Sequence, residues 1–293
     1  MNHFDLFSGL GGWLLAAKAL NWNTLAACEI DSFCQRLLAY RFPNLKVFPD
    51  ITKIDDNILR QEGIIKEGIN QVDVVTGSFP CQDVSIANPK KEGLYGKRSG
   101  LWFDMFRIIQ RLKPRWVVGE NVSGLASMGL DVVRDALEAE DYQVRCFIIP
   151  ACAAGLPQRR NRVWFVANYC GGGLGGSRSD RLARSLLQNQ NRLSTQDSAF
   201  WDGWLNRVVT PDQALAAYTG RCATTPIDGA RSFEKGAGGW LPVVSELCGT
   251  AYGTTEELDK NRIRVIGNSI VPALAHRILL AIDTIEKLAH AEI

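Results

Sequence analysis

Two rhythms alternate along the first 168 residues. Short apolar runs recur at 3–7, 24–29, 72–76, 116–120, 144–149 and 162–167, and helix-like stretches at 13–20, 32–41, 101–112 and 130–140 lie among them. In the last of these, Leu130, Val133 and Leu137 recur at helical spacing with charged residues between them. Strands alternating with helices predict a parallel sheet covered by helices. Residues 55–70 read as partly helical, with Gly63 and Gly68 blurring the ends.

The pattern then changes. Residues 171–176 read GGGLGG, a run with little reason to sit inside a regular element. From there to about residue 255 periodicity is poor and turn residues are frequent, with Trp201, Trp204 and Trp240 standing out. For each of these tryptophans a place in a small core is weighed above contact with a ligand. Regular structure returns at 268–288 as an apolar helix with Pro272 near its first turn. The expected organisation is one α/β domain, residues 1–168 plus 256–293, interrupted by an irregular insertion at 169–255.

Composition narrows the classes. Of 293 residues, 46% are hydrophobic and 22% charged, so wholesale disorder is excluded. Thirty-three Lys and Arg against 31 Asp and Glu leave a formal charge of +2. That balance excludes nucleic-acid binding by bulk charge, but not a local basic groove. The eight cysteines include no CxxC pair, which argues against a zinc knuckle and for reduced thiols rather than a disulfide frame. No metal site is expected. The N-terminus lacks a basic start followed by an apolar run, and no stretch reaches the ~18 apolar residues of a membrane span. A cytoplasmic protein without membrane contact is the expectation.

Phe7-Ser8-Gly9-Leu10-Gly11-Gly12 follows the first strand and opens the first helix. Glycines there let the chain turn sharply and let a ligand approach the amides of the helix start. Glu29 follows at the end of the second strand, where an acid can accept from ribose hydroxyls. The glycines alone are equally compatible with a plain tight turn; with Glu29 at that spacing, an adenosyl ligand is favoured. Gly77-Ser78-Phe79-Pro80-Cys81-Gln82 follows another apolar strand, placing Cys81 at the edge where parallel sheets bind ligands. A thiol so placed can act as a nucleophile, although packing is the competing role for any cysteine. Trp116-Val117-Val118-Gly119-Glu120-Asn121-Val122 ends a further strand with a carboxylate. Gln158-Arg159-Arg160-Asn161-Arg162 precedes the next apolar run. Arg160 and Arg162, two apart at a strand's start, point to one side, which suggests a joint task.

In this order FSGLGG, Glu29, Asp50-Ile51, GSFPCQ, GENV, QRRNR and GNSIVP from Gly267 resemble the cytosine-5 DNA methyltransferases of bacterial or phage type. The resemblance covers about residues 1–168 and 260–285. It implies a Rossmann-like S-adenosylmethionine-dependent methyltransferase fold, an α/β architecture with a small target-recognition insertion. It also implies that Cys81 attacks carbon 6 of a cytosine, that Glu120 protonates ring nitrogen 3, and that Arg162 anchors Glu120 and the base, with Arg160 beside it. Phe7, Gly9, Leu10, Gly11, Gly12, Glu29, Ile30, Asp50, Ile51, Pro80, Asn268 and Ser269 match cofactor positions. Asp50 is expected to accept from the adenine amino group.

Double-stranded DNA is the implied partner of a monomeric enzyme, with the target base flipped out of the stack. Gln82, Ser85, Lys90, Lys91, Lys97 and Arg98, in or beside a loop matching the family's closing loop at 83–100, are the expected DNA contacts. Residues 84–115 hold eight Lys and Arg against two acids, so the near-neutral total conceals a local basic strip. Two rival readings stand beside this one: methylation of a structured RNA, and a catalytically idle DNA-binding protein that would have no need of Cys81, Glu120 and Arg162.

Overall fold

The computed structural model describes residues 1–67, 69–80, 100–154, 160–170 and 268–291. A seven-stranded sheet runs in the order β3-β2-β1-β6-β7-β9-β8. Its strands are β1 (Asn2–Leu6), β2 (Asn23–Cys28), β3 (Lys46–Phe48), β6 (Val74–Gly77), β7 (Trp116–Val122), β8 (Tyr142–Pro150) and β9 (Asn161–Tyr169). A separate small hairpin pairs β4 (Ile65–Lys66) with β5 (Ile69–Asn70). The helices are α1 (Gly12–Ala19), α2 (Ser32–Arg41), α3 (Asp56–Gln61), α4 (Leu101–Leu112), α5 (Leu125–Met128), α6 (Leu130–Glu138) and α7 (Pro272–Ala291).

Local chemistry accounts for the helices. Asp31 caps α2 by accepting from the amides of Phe33 and Cys34 at 2.9 and 3.2 Å. In α4, Trp102, Met105, Ile108, Ile109 and Leu112 form one buried stripe at helical spacing. That stripe packs with Leu59 of α3 and with Val133 and Leu137 of α6 on one face of the sheet. On the other face α1 and α7 pack together, through Trp13, Ala16 and Ala17 against Leu274, Ala275, Ile278, Leu279 and Ile282. Each large apolar side chain buried there contributes about 1.5–3 kcal/mol. The expected helix at 268–288 therefore lies beside the first helix, although nearly the whole chain separates them.

The sheet departs from the all-parallel expectation. From β3 across to β7 the strands are parallel, but β7 pairs β9 antiparallel and β9 pairs β8 antiparallel. The reason is the short link from Pro150 to Asn161, which is less than a helical crossover needs. Residues 55–70, expected to be partly helical, contain α3 and then the β4–β5 hairpin. β3 has only three residues and left no periodic signal.

Candidate active site

The order β3-β2-β1-β6-β7 reverses direction between β1 and β6, and at such a switch point the loops leave to opposite sides and open a crevice. The segments after β1, β2 and β3 carry Phe7 to Gly12, Glu29 with Ile30, and Asp50 with Ile51, all at one edge. Across the switch, β6 leads into Ser78, Phe79 and Pro80, and β7 brings Glu120 to its carboxyl end.

The glycine turn is tightly shaped. Phe7 itself sits in the left-handed region at φ +59°, a conformation that costs a side-chain-bearing residue about 1–2 kcal/mol. The Ser8 amide donates to the Cys28 carbonyl at 2.9 Å, tying the turn to the end of β2. Gly12 is required for another reason: a Cβ there would stand 2.2 Å from Cγ2 of Ile270. The space beside Gly12 thus belongs to the segment leading into α7 rather than to a ligand. Over Gly9, by contrast, a Cβ would meet nothing within 4 Å.

Glu29 braces the turn. Its carboxylate accepts from the Gly9 amide at 2.6 Å and the Asp31 amide at 2.8 Å. Burial pushes its carboxyl pKa up against the pull of those amides. A carboxylate has about four lone-pair sites, so acceptor capacity remains beyond these two bonds. Ile30 beside it is 73% exposed, an unusual place for a large apolar side chain. Asp50 accepts from the Thr52 amide and hydroxyl at 2.9 and 2.8 Å, and these bonds hold its carboxyl below the ordinary range.

Glu120 is a strongly perturbed acid at this edge. It is buried, and its Oε1 lies 3.0 Å from Nε of Arg162. Burial drives its pKa up to about 7, with Arg162, Arg160 and a hydrogen bond from Ser78 opposing the rise. Glu120 pairs with Trp164 in the β7–β9 ladder and Arg162 with Val122, two residues further along the same face. Asn121 donates to the Phe79 carbonyl at 3.1 Å, clamping the end of β7 to the segment after β6.

The structure brings Glu120 and Arg162 together as expected. Arg160 takes a different part: its guanidinium donates to the Ser269 carbonyl and links this segment to the one before α7. Arg160 also sits at φ +28°, a strained value for a side-chain-bearing residue. Ser78, Trp13 and Asn121 belong to the site without standing out in the sequence. Ser78 lies inside the GSFPCQ motif, and a serine has no periodic or spacing signal to mark it.

The basic strip at 84–115 is smaller than its count suggests. Arg107 donates to the carbonyls of Ile54 and Ile51 at 2.6 and 3.0 Å. Arg111 pairs with Asp56, Lys113 with Glu140 and Arg115 with Glu286. These four cations are engaged within the protein. Cys81, Gln82, Ser85, Lys90, Lys91, Lys97 and Arg98 lie outside the described residues, as do the loop at 83–99, Gln158, Arg159, the insertion from 171 onward and its tryptophans. Among the described residues, no group of His, Cys, Asp and Glu is placed to hold a metal ion, and no helix is long and apolar enough to cross a membrane.

A doubly wound sheet with its glycine turn, Glu29 and the Glu120–Arg162 pair at the switch point is the frame of a Rossmann-like methyltransferase. A family model for C-5 cytosine-specific DNA methylases matches residues 1–174, and the chain belongs to that family. Over 174 residues it is 31% identical to the Type II methyltransferase M.DdeI of Desulfomicrobium norvegicum, covering 57% of this chain and 40% of the relative. It is 30% identical over 170 residues to the Type II methyltransferase M.HhaI of Haemophilus parahaemolyticus, covering 57% of this chain and 48% of that one. The chain thus spans less than half the length of these two relatives. The solved Dnmt2 methyltransferase of S. pombe shares the fold at a TM-score of 0.56 and 15% identity, over 96% of this chain and 98% of its own.

Proposed function

We propose that this chain transfers a methyl group from S-adenosylmethionine to carbon 5 of a cytosine in double-stranded DNA, with the base flipped out and joined transiently to Cys81. The observation that carries this reading is the buried Glu120–Arg162 pair at the carboxyl end of β7. It stands one strand away from the end of β6, whose chain continues through Pro80 into Cys81.

The cofactor fits the residues across the switch point. The open space over Gly9, the exposed Ile30 and the spare lone pairs of Glu29 and Asp50 suit an adenosyl group. Phe7, Leu10, Gly11, Ile51, Pro80, Asn268 and Ser269 complete the proposed lining, and Gly12 supports it by seating Ile270. When bound, S-adenosylmethionine supplies an electrophilic methyl group.

The protein's own part is covalent catalysis. The Cys81 thiolate adds to carbon 6, and the electron pair displaced from the ring double bond moves toward nitrogen 3. Glu120, its pKa pushed up to about 7 by burial, is protonated in a substantial share of molecules near neutral pH and places that proton on the nitrogen. Carbon 5 thereby becomes nucleophilic and is methylated. Loss of the carbon 5 proton to water then restores the double bond and expels Cys81 as the thiolate, and the nitrogen 3 proton returns to Glu120. Arg162 keeps Glu120 oriented throughout and offers its remaining N–H groups to the base oxygen. Residues 169–255 would select the DNA site, in a monomer that needs no metal. The docking of α7 on α1 supports this division, because it returns the chain to the sheet after the insertion.

The test is covalent trapping on duplex oligonucleotides containing 5-fluorocytosine. The parent protein with S-adenosylmethionine should give a denaturation-resistant adduct, whereas Cys81→Ala should give none yet still bind S-adenosylmethionine. Trapping on structured RNA alone would overturn the DNA assignment. Equal methyl transfer by Cys81→Ala and the parent would overturn the covalent one.

A further inference from the structure

Ser78 lies immediately after β6, three residues before Cys81, and is half-buried. Its hydroxyl is bonded on two sides. The indole N–H of Trp13 donates to Ser78 Oγ at 3.3 Å. The β6–β7 register sets Gly77 beside Gly119 and so brings Ser78 next to Glu120, whose carboxylate it hydrogen-bonds. An indole nitrogen can only donate, so the Ser78 oxygen accepts from Trp13. Its single hydrogen is then free for the carboxylate, which can only accept while ionised. While Glu120 is ionised, the direction of the chain is therefore Trp13 to Ser78 to Glu120.

Trp13 is itself held in place. It is 1% exposed, and its ring meets Trp164 edge-on at 5.7 Å and 79°. Trp164 is the cross-strand partner of Glu120. The arrangement closes on itself: the indole that orients Ser78 leans on the residue that stands beside the acid. Trp13 also lies in the first turn of α1, the helix that opens at the glycine turn.

We infer that Ser78, aimed by Trp13, is a positioning residue that fixes the Glu120 carboxylate for proton transfer and ties it to the helix at the cofactor side. The inference rests on the role proposed above for Glu120. Arg162 grips Oε1 from β9, and Arg160 acts from the turn into that strand, so Ser78 supplies the hold from the β6 side. A hydroxyl donating to a carboxylate favours its charged form, so loss of Ser78 leaves Glu120 protonated to higher pH.

Methyl transfer is measured in the full chain for Ser78→Ala, Ser78→Thr and Trp13→Phe, alone and combined with Glu120→Gln, with S-adenosylmethionine affinity and thermal stability alongside. Ser78→Ala should lower kcat roughly tenfold, as loss of a hydrogen bond to a charged group does, with KM for S-adenosylmethionine nearly unchanged. The kcat profile should shift to higher pH, Trp13→Phe should shift it the same way, and Ser78→Thr should restore rate and profile. In the Glu120→Gln background Ser78→Ala should cost little more, because both changes act through one group. Losses that add in the double mutant overturn the inference, and where Glu120→Gln abolishes activity an unshifted pH profile of Ser78→Ala does so. Full activity in Glu120→Gln overturns the role of Glu120 itself.

Discussion

The indole N–H of Trp22 donates to Asp283 Oδ1 at 2.9 Å, a buried bond between residues 261 positions apart. One helical turn further, Glu286 accepts from the Trp116 indole at 2.8 Å and pairs with Arg115. Two carboxylates on the inner face of α7 are thus each held by a tryptophan from the body of the sheet domain. Apolar burial supplies the affinity between α7 and α1, and these bonds set the register in which the helix docks.

Trp22→Phe keeps the ring but leaves buried Asp283 without its indole donor. Stability should fall by about 1–3 kcal/mol. Chemical denaturation should show a lower midpoint with an unchanged slope. Deleting residues 268–293 should cost far more, and S-adenosylmethionine binding with it, since the glycine turn is then deprived of Ile270 and Arg160 of the Ser269 carbonyl. A truncated chain that keeps the parent's midpoint and cofactor affinity would refute this coupling.

Gly119 faces Phe165 across the β7–β9 ladder, and a Cβ there would stand 1.9 Å from Cζ of the ring. The glycine preceding Glu120 is therefore a requirement of space. Gly119→Ala must move the ring or part the strands, with a cost of about 1–3 kcal/mol typical of overpacking. Adding Phe165→Leu should recover much of that loss, because it empties the space the methyl group needs. Thermal denaturation of the single and double variants checks this, and an Ala variant as stable as the parent would contradict it.

These relationships mark what was legible in the sequence. The buried stripe of α4 and the capped start of α2 follow from local patterning, and they fall where periodicity placed them. The partnership of Glu120 with Arg162 was legible through the family resemblance carried by GENV and QRRNR, and the structure pairs the two side chains. Strand direction was not, since the alternation within β8 and β9 is the same either way. The short link from Pro150 to Asn161 was the available signal. Ser78 and Trp13 stayed hidden because a hydroxyl's partner is chosen by tertiary approach. The left-handed Phe7 stayed hidden because glycines are the residues expected there.

Asp5, next to Leu6 at the end of β1, is wholly buried and heads a polar chain within the sheet. Thr76 donates to Asp5 Oδ1 at 2.6 Å, and His3 Nε2 lies 2.7 Å from the same hydroxyl oxygen. With the threonine hydrogen given to Asp5, His3 must donate from Nε2, leaving Nδ1 to accept from Thr24 at 3.1 Å. Burial raises the Asp5 pKa from 3.8 to about 7 and lowers that of His3 from 6.5 to about 3. Between pH 4 and 7 the native state keeps the Asp5 proton that the unfolded chain has released, so this group's stability is lost as pH rises through 7. His3 acts in the opposite sense, its contribution being lost as pH falls below 6.5. Asp5→Asn retains an acceptor for Thr76 but cannot ionise. Its stability relative to the parent should rise from pH 4 to 8, by a few kcal/mol at most. Urea denaturation across that range measures the difference, and a constant difference would show that Asp5 is ionised at every pH.

The last prediction separates holding DNA from reading it. Arg107, Arg111, Lys113 and Arg115 are engaged by carbonyls or carboxylates of the protein, so of the cations at 84–115 only Lys90, Lys91, Lys97 and Arg98 are left as proposed phosphate contacts. Replacing these four with Ala should weaken binding to all duplex sequences about equally. It should also flatten the salt dependence, by up to about one unit of slope for each phosphate that is no longer neutralised. Replacing Arg111 or Lys113 should leave that slope unchanged, because each already faces an acid. The methylated sequence should follow exchange of residues 177–250, since base readout needs groups that reach groove edges. Binding measured against salt on specific and unrelated duplexes distinguishes these outcomes. A four-residue variant that changes the methylated sequence at unchanged overall affinity would mean that the loop reads bases, and the assignment of readout to the insertion would fall.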